Sequence, residues 1–157
     1  MEFTPKQQAT LLTELEVDSF KPYQLTAIQA ILSNKDVFVA QPTSSGKSLI
    51  FQALPLANKL YSDTTKCVLI IQPIVSLMLD QMNTLKKQGV KVVCLKQKKE
   101  LLAGTNKDEV FDEMLSADMI FSSPEAIQDF RGLFKNEMLS ERIICIAVDE
   151  CHMVEKW

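Results

Sequence analysis

A chain of 157 residues that is 46% hydrophobic and 24% charged has the size and composition of one globular domain with its own core, and neither a disordered nor a fibrous composition. No run approaches the ~18 consecutive apolar residues of a membrane helix, and the opening MEFTPKQQATLL has neither the charged start nor the apolar stretch of a signal peptide. The formal net charge of −3 confines any nucleic-acid contact to a local patch.

In chain order, Thr4 to Leu15 alternates at helical spacing, with Thr4 as N-cap and Pro5 at the first helical position. The stretch from Asp18 to Pro22 breaks that helix, and a second follows from Tyr23 to Leu32. Val37 to Ala40 is a short apolar run, expected as a buried parallel strand that Pro42 ends. A helix opens at Gly46-Lys47-Ser48. Cys67–Ile71 is a second apolar strand. Pro73 to Gln88 reads as a helix stopped by Gly89. Val90 to Leu95 is a third strand, Asp108 to Leu115 a helix, Met119–Ser122 a fourth strand, and Pro124 starts a further helix. Ile143–Val148 is a fifth strand. Five apolar strands alternating with helices predict an α/β fold, a parallel sheet with helices on both faces, whose ligands bind past the carboxyl ends of the strands. Three of the four cysteines, Cys67, Cys94 and Cys145, lie in strand-like runs; with Cys151 they form no C-x-x-C. Free thiols in a reducing, intracellular compartment are expected.

Two motifs fall past expected strand ends. Gly46-Lys47-Ser48, between a strand and a helix, matches the end of a phosphate-binding loop. Unpaired N–H groups at a helix start favour an anion, Lys47 reaches the β/γ-phosphates, and Ser48 ligates Mg²⁺. A strand–loop–helix turn with a surface lysine would give the same string. Asp149-Glu150-Cys151-His152 supplies the complement: Asp149 to hold Mg²⁺ and Glu150 to activate the attacking water. The bland alternative is a strand ending in solvated charges. His152, the one histidine, is either structural or placed to link the ATP site to what binds above it. The basic run Lys96, Lys98 and Lys99 reads as a solvated loop before it reads as a DNA contact.

The order of these blocks resembles the first RecA-like lobe of RecQ-family DNA helicases, within the DEAH-type superfamily 2 helicases. SFKPYQ (Ser19 to Gln24) is similar to the family's adenine-reading F-R-P-x-Q. QPTSSGKSLIFQ resembles M-P-T-G-G-G-K-S-L-x-Y-Q, and IQPIVSLMLDQ resembles S-P-L-x-S-L-M-x-D-Q. FSSPE resembles the T-P-E block, and VDECHMVEKW resembles V-D-E-A-H-C-x-S-x-W, down to Trp157.

The resemblance implies an N-terminal helical segment at 1–18 and an ATP-binding lobe at 19–157 that stops short after D-E-x-H. It also implies an ATP hydrolase that drives 3'→5' stepping on single-stranded DNA and duplex unwinding, in repair or recombination, with ATP and Mg²⁺ as cofactors, and the nucleus as its place if the source is eukaryotic. The nucleotide contacts it implies are Gln24 on the adenine edge, Lys21, and the loop residues Thr43, Ser44, Ser45, Gly46, Lys47 and Ser48. Ser48 and Asp149 hold the metal, and Lys47, Asp149 and Glu150 carry the chemistry. His152 couples ATP to DNA, and Ser76, Leu77, Gln81, Ser123 and Pro124 fall in blocks along the DNA path. Two departures weaken adenine binding: Lys21 replaces a stacking arginine, and Val17 stands where a tyrosine is common. Ser44 and Ser45 replace glycines, which implies a stiffer loop. Unwinding would also need a second RecA-like lobe. A later strand carrying the next helicase motif would lie between Val37–Ala40 and the D-E-x-H strand, so the stretch alone would be marginally folded. The rivals are a helicase lobe acting on RNA, and a non-catalytic fragment that binds nucleic acid or a partner.

Overall fold

The computed structural model describes residues 2–97 and 106–156, with 154–156 described by their backbone alone. Lys98, Lys99 and Trp157 lie outside the described residues. The chain divides into two compact units, Met1–Lys66 and Cys67–Trp157.

The first unit is helical. Helix α1, Pro5–Glu14, starts where the sequence places it. The Thr4 hydroxyl accepts from the Gln7 N–H (3.2 Å) and the Gln7 side chain accepts from the Thr4 N–H (2.9 Å), a reciprocal cap with Pro5 behind it. Helix α2 is Pro22–Leu32 and buries Gln24, Ala27 and Ile28. Helix α3, Ser48–Ser62, buries Ile50, Phe51, Ala53, Leu54 and Ala57, a helical stripe. α3 packs against both α1 and α2. It ends at Asp63 in the left-handed region, φ 52°.

One expectation fails here. Val37–Ala40 forms no strand: the described residues give it no ladder, Val37 is exposed, and Phe38 is 81% exposed. A strand needs a neighbour to take its N–H and C=O groups, and apolar composition cannot supply one.

The second unit holds a four-stranded parallel sheet, so four of the five expected strands form among the described residues. Strands β1 (Cys67–Ile71), β2 (Val92–Leu95), β3 (Met119–Ser122) and β4 (Ile143–Val148) stand in the order β2-β3-β1-β4. Helices α4 (Val75–Lys87), α5 (Lys107–Ser116), α6 (Pro124–Phe130) and α7 (Glu137–Ser140) lie between the strands along the chain. Gly89 stops α4 at φ +81°, where a side chain would be strained. Asn106 caps α5 and Ser123 caps α6.

Register decides what the sheet presents. Ile71 stands opposite both Ser122 and Val148, and Leu95 opposite Ser122. The four carboxyl ends are therefore flush, and the residues just beyond them share one rim. On one face Cys67, Leu69, Leu95, Met114, Ile120, Phe130 and Leu139 form a buried cluster. The alternate residues of β1, Val68 and Ile70, are fully buried as well, as a central parallel strand requires. β4 is different. It stands at the edge of the sheet that the described residues form, and Ile146 is 61% and Val148 42% exposed.

Candidate nucleotide and metal site

The phosphate loop is built on α2 and the start of α3. Thr43 and Ser44 form a turn and are exposed, and Ser45, Gly46, Lys47 and Ser48 are half-buried. The described bonds resume with Leu49 N–H on the Gly46 carbonyl (3.3 Å) and Ile50 N–H on that of Lys47 (3.1 Å). α3 has no side-chain cap. The N–H groups of Gly46, Lys47 and Ser48 thus have no acceptor among the described bonds, which is the arrangement that receives an anion. The Lys47 ammonium donates to the carbonyls of Gln41 (2.7 Å) and Pro42 (2.9 Å), so it is folded across the loop that it would hold in place.

Three residues of α2 and its approach fasten this loop. Lys21 Nζ donates to the Ser45 carbonyl at 2.6 Å, and Tyr23 Oη donates to the same oxygen at 2.7 Å. Gln24 is buried; its Nε2 donates to the Gly46 carbonyl (2.8 Å) and its Oε1 accepts from the Lys21 N–H (2.8 Å). Both ends of the Gln24 amide are therefore bonded to backbone. Gly46, at φ +92°, is where this closeness demands glycine, because a Cβ there would stand 2.8 Å from Gln24 Nε2. Ser44 sits at φ +60°, a position that favours glycine and here holds serine.

The carboxylates belong to the second unit, on the rim of the sheet. The Asp149 N–H donates to the Ile71 carbonyl (3.0 Å), extending the β1–β4 ladder by one bond and fixing the backbone at the start of the motif. Its carboxylate is held at both oxygens: Oδ2 accepts from Gln72 Nε2 (3.0 Å) and Oδ1 from the Glu150 N–H (3.0 Å). Glu150 lies in the left-handed region at φ 53°, a costly conformation of the kind that collects at functional sites. Its Oε2 is 3.3 Å from Nε2 of His152, whose side chain is 73% exposed. No cluster of three or more metal-ligating side chains occurs among the described residues. A cation held at Asp149 would keep most of its ligands as water or phosphate oxygen, which suits Mg²⁺. Each half thus fits its part of Mg·ATP: donors at the α3 start for phosphate, a fixed carboxylate at the β4 end for a hard cation.

The residues expected along the DNA path separate. Ser76 and Leu77 are exposed on the first turn of α4, and Gln81 is half-buried further along it, with its Oε1 buried and without a donor. Ser123 is buried and its hydroxyl accepts from the Ala126 N–H (3.1 Å), capping α6 with Pro124 at its first position.

Sequence reasoning missed Gln72 and Tyr23. The signal for Gln72 was a polar residue closing the apolar run Cys67–Ile71 just before Pro73. All four cysteines are free. Burial raises the Cys67 thiol above its usual range. It also pushes Cys145 up to about 11, with a smaller contribution from the neighbouring Cys67. These are inert thiols rather than nucleophiles.

Known proteins are similar to this chain in sequence. The DEAD/DEAH box helicase family matches residues 21–157. The ATP-dependent helicase SGS1 of Saccharomyces cerevisiae is 32% identical over 90% of this chain and 10% of its own length. The probable ATP-dependent DNA helicase RecS of Bacillus subtilis is 33% identical over 97% of this chain and 29% of its own. A putative ATP-dependent RNA helicase, R290, of Acanthamoeba polyphaga mimivirus is 34% identical over 89% of this chain and 24% of its own. The chain therefore spans less than a third of each of these relatives. With the family pattern matched from residue 21 to residue 157, the chain belongs to the DEAD/DEAH box helicases, in agreement with the RecQ-type resemblance of its motifs.

Proposed function

We propose that the chain is the ATP-binding part of a RecQ-like DNA helicase that couples ATP hydrolysis to 3'→5' movement on single-stranded DNA and to duplex separation in DNA repair or recombination. The observation that carries this reading is the uncapped start of α3 with Lys47 beside it, in a chain whose relatives include a protein named as an ATP-dependent DNA helicase. Lys47 would leave the carbonyls of Gln41 and Pro42 to hold the β/γ-phosphates, with the free N–H groups of Gly46, Lys47 and Ser48 around them. Thr43, Ser44 and Ser45 complete the loop. The Ser48 hydroxyl and Asp149 hold Mg²⁺, which when bound neutralises charge building on the phosphates. Glu150 orients and deprotonates the attacking water. Gln24 and Lys21 govern the base side. His152 relays nucleotide state to DNA, with Ser76, Gln81 and Ser123 on the nucleic-acid side.

Titration with a fluorescent ATP analogue tests the core of this reading. Lys47→Ala is expected to weaken binding at least tenfold while leaving the melting temperature unchanged; equal affinity would remove the loop from the mechanism. In the protein that carries turnover, Glu150→Gln should retain ATP and lose about 10²–10⁴-fold in rate. Gln24→Ala should weaken ATP and GTP together, because it releases the Gly46 carbonyl. Only an additional loss for ATP supports adenine reading.

The second reading, a helicase lobe acting on RNA, is favoured by the similarity to the mimivirus protein. DNA- against RNA-stimulated ATPase separates the two. A protein stimulated by neither fits the non-catalytic alternative.

A further inference from the structure

We propose that Gln72 is the positioning residue for Asp149, setting the carboxylate that faces the metal; this rests on the reading of Asp149 as the Mg²⁺-side carboxylate. Gln72 follows β1 directly and is 1% exposed. Its backbone N–H donates to the Ser122 carbonyl (3.0 Å), which ties it to β3. Its side chain reaches the other way, to β4, and donates from Nε2 to Asp149 Oδ2 (3.0 Å). One residue thereby links three adjacent strand ends to the carboxylate, and the Asp149 N–H on the Ile71 carbonyl closes the ring of contacts.

The chemistry is directional. An ionised carboxylate only accepts, so the glutamine must present its NH₂ to it. That leaves Oε1 turned from the carboxylate, and Oε1 is buried without a donor among the described residues. Leaving such an acceptor unpaired is costly, which is unexpected for a residue that served packing alone. Methionine or leucine would fill the same volume with no orphan. An amide here does two things that an apolar side chain cannot. It donates a hydrogen bond to one oxygen of Asp149 while the Glu150 N–H fixes the other, and its planar amide holds that donor in one direction. Partners that orient a metal-binding carboxylate in this way typically account for about 10–100-fold in metal affinity.

The test uses the chain itself with Mn²⁺ as a paramagnetic probe and ATP as nucleotide. In the wild type, Mn²⁺·ATP is expected to broaden the side-chain NH₂ resonances of Gln72 selectively, and Mg²⁺·ATP to shift them without broadening. Gln72→Met, which keeps the volume and loses the donor, is expected to weaken Mn²⁺ binding in the presence of ATP about 10–100-fold by electron paramagnetic resonance. Its ATP affinity in chelator should stay within twofold of wild type, a split that a general loss of structure does not produce. A folded Gln72→Met with wild-type Mn²⁺ affinity overturns the proposal. So do Gln72 resonances untouched by Mn²⁺·ATP in a wild type that binds it, a result that stands even if the variant fails to fold. A wild type that binds no Mn²⁺·ATP overturns the reading of the whole site, and this inference with it.

Discussion

Val37–Ala40 and Cys67–Ile71 are alike in sequence: short, apolar, and each followed within a few residues by a proline. In the structure they have opposite fates. Cys67–Ile71 is flanked by parallel strands on both sides and its first four residues are buried, whereas Val37–Ala40 has no described ladder and exposes Phe38. A strand is a property of a pair. Hydrophobic side chains make a segment suitable for burial, but the backbone adopts a strand only where a neighbour satisfies its polar groups. β4 stands between the two cases, paired on one side and exposing Ile146 and Val148.

The comparison can be broken most directly by truncating one residue in each run. Ile70→Ala, in the buried strand, is expected to cost about 2–5 kcal/mol. Phe38→Ala should stay within about 0.5 kcal/mol, as surface substitutions do. Urea denaturation monitored by circular dichroism checks both, and a large loss at Phe38 would mean that Val37–Ala40 is packed after all.

A second change probes why the loop after Val37–Ala40 keeps its shape without a ladder. Gly46→Ala adds a Cβ against Gln24 Nε2 at a left-handed position. It should cost roughly 2–4 kcal/mol, from backbone strain and a displaced amide bond. Its readout is the melting temperature, and an unchanged value would show that the α2–loop contacts contribute nothing.

The sheet's own signature lies at alkaline pH. The Cys145 thiol is raised from 9.0 to about 11 in the fold, first by burial. The unfolded chain therefore ionises it first as pH rises. Its contribution is intact below pH 9 and is lost progressively toward pH 11, by roughly 1–2 kcal/mol. Cys145→Ala should flatten this part of the stability profile between pH 8 and 10.5. An identical slope in wild type and variant would remove Cys145 as its cause.

The smallest effect is expected at Ser44. Glycine there relieves the φ +60° strain but frees the unfolded chain. Ser44→Gly should therefore change stability by about 0–1 kcal/mol in the favourable direction, measured against wild type in the same denaturant series. A clear loss would mean that the serine side chain has a partner worth more than the strain.

Local signals determined much of this protein. Thr4 with Pro5 and Gln7 determined where α1 starts, because a cap is written within four residues. Gly89 ended α4 for the same kind of reason, and the apolar runs at Cys67–Ile71, Met119–Ser122 and Ile143–Val148 marked three strands to the residue. Gly46-Lys47-Ser48 and Asp149-Glu150 were legible as chemistry because phosphate and metal binding need those residue types in order. What only the tertiary structure decided was everything that depends on a distant neighbour. It left Val37–Ala40 without a partner among the described residues. It engaged both ends of Gln24 on Lys21 and Gly46, and it brought Gln72 to Asp149 across 77 positions of chain. Side-chain type and spacing act over a few residues, whereas hydrogen-bond satisfaction and burial are settled by strand order and register, which no single segment encodes.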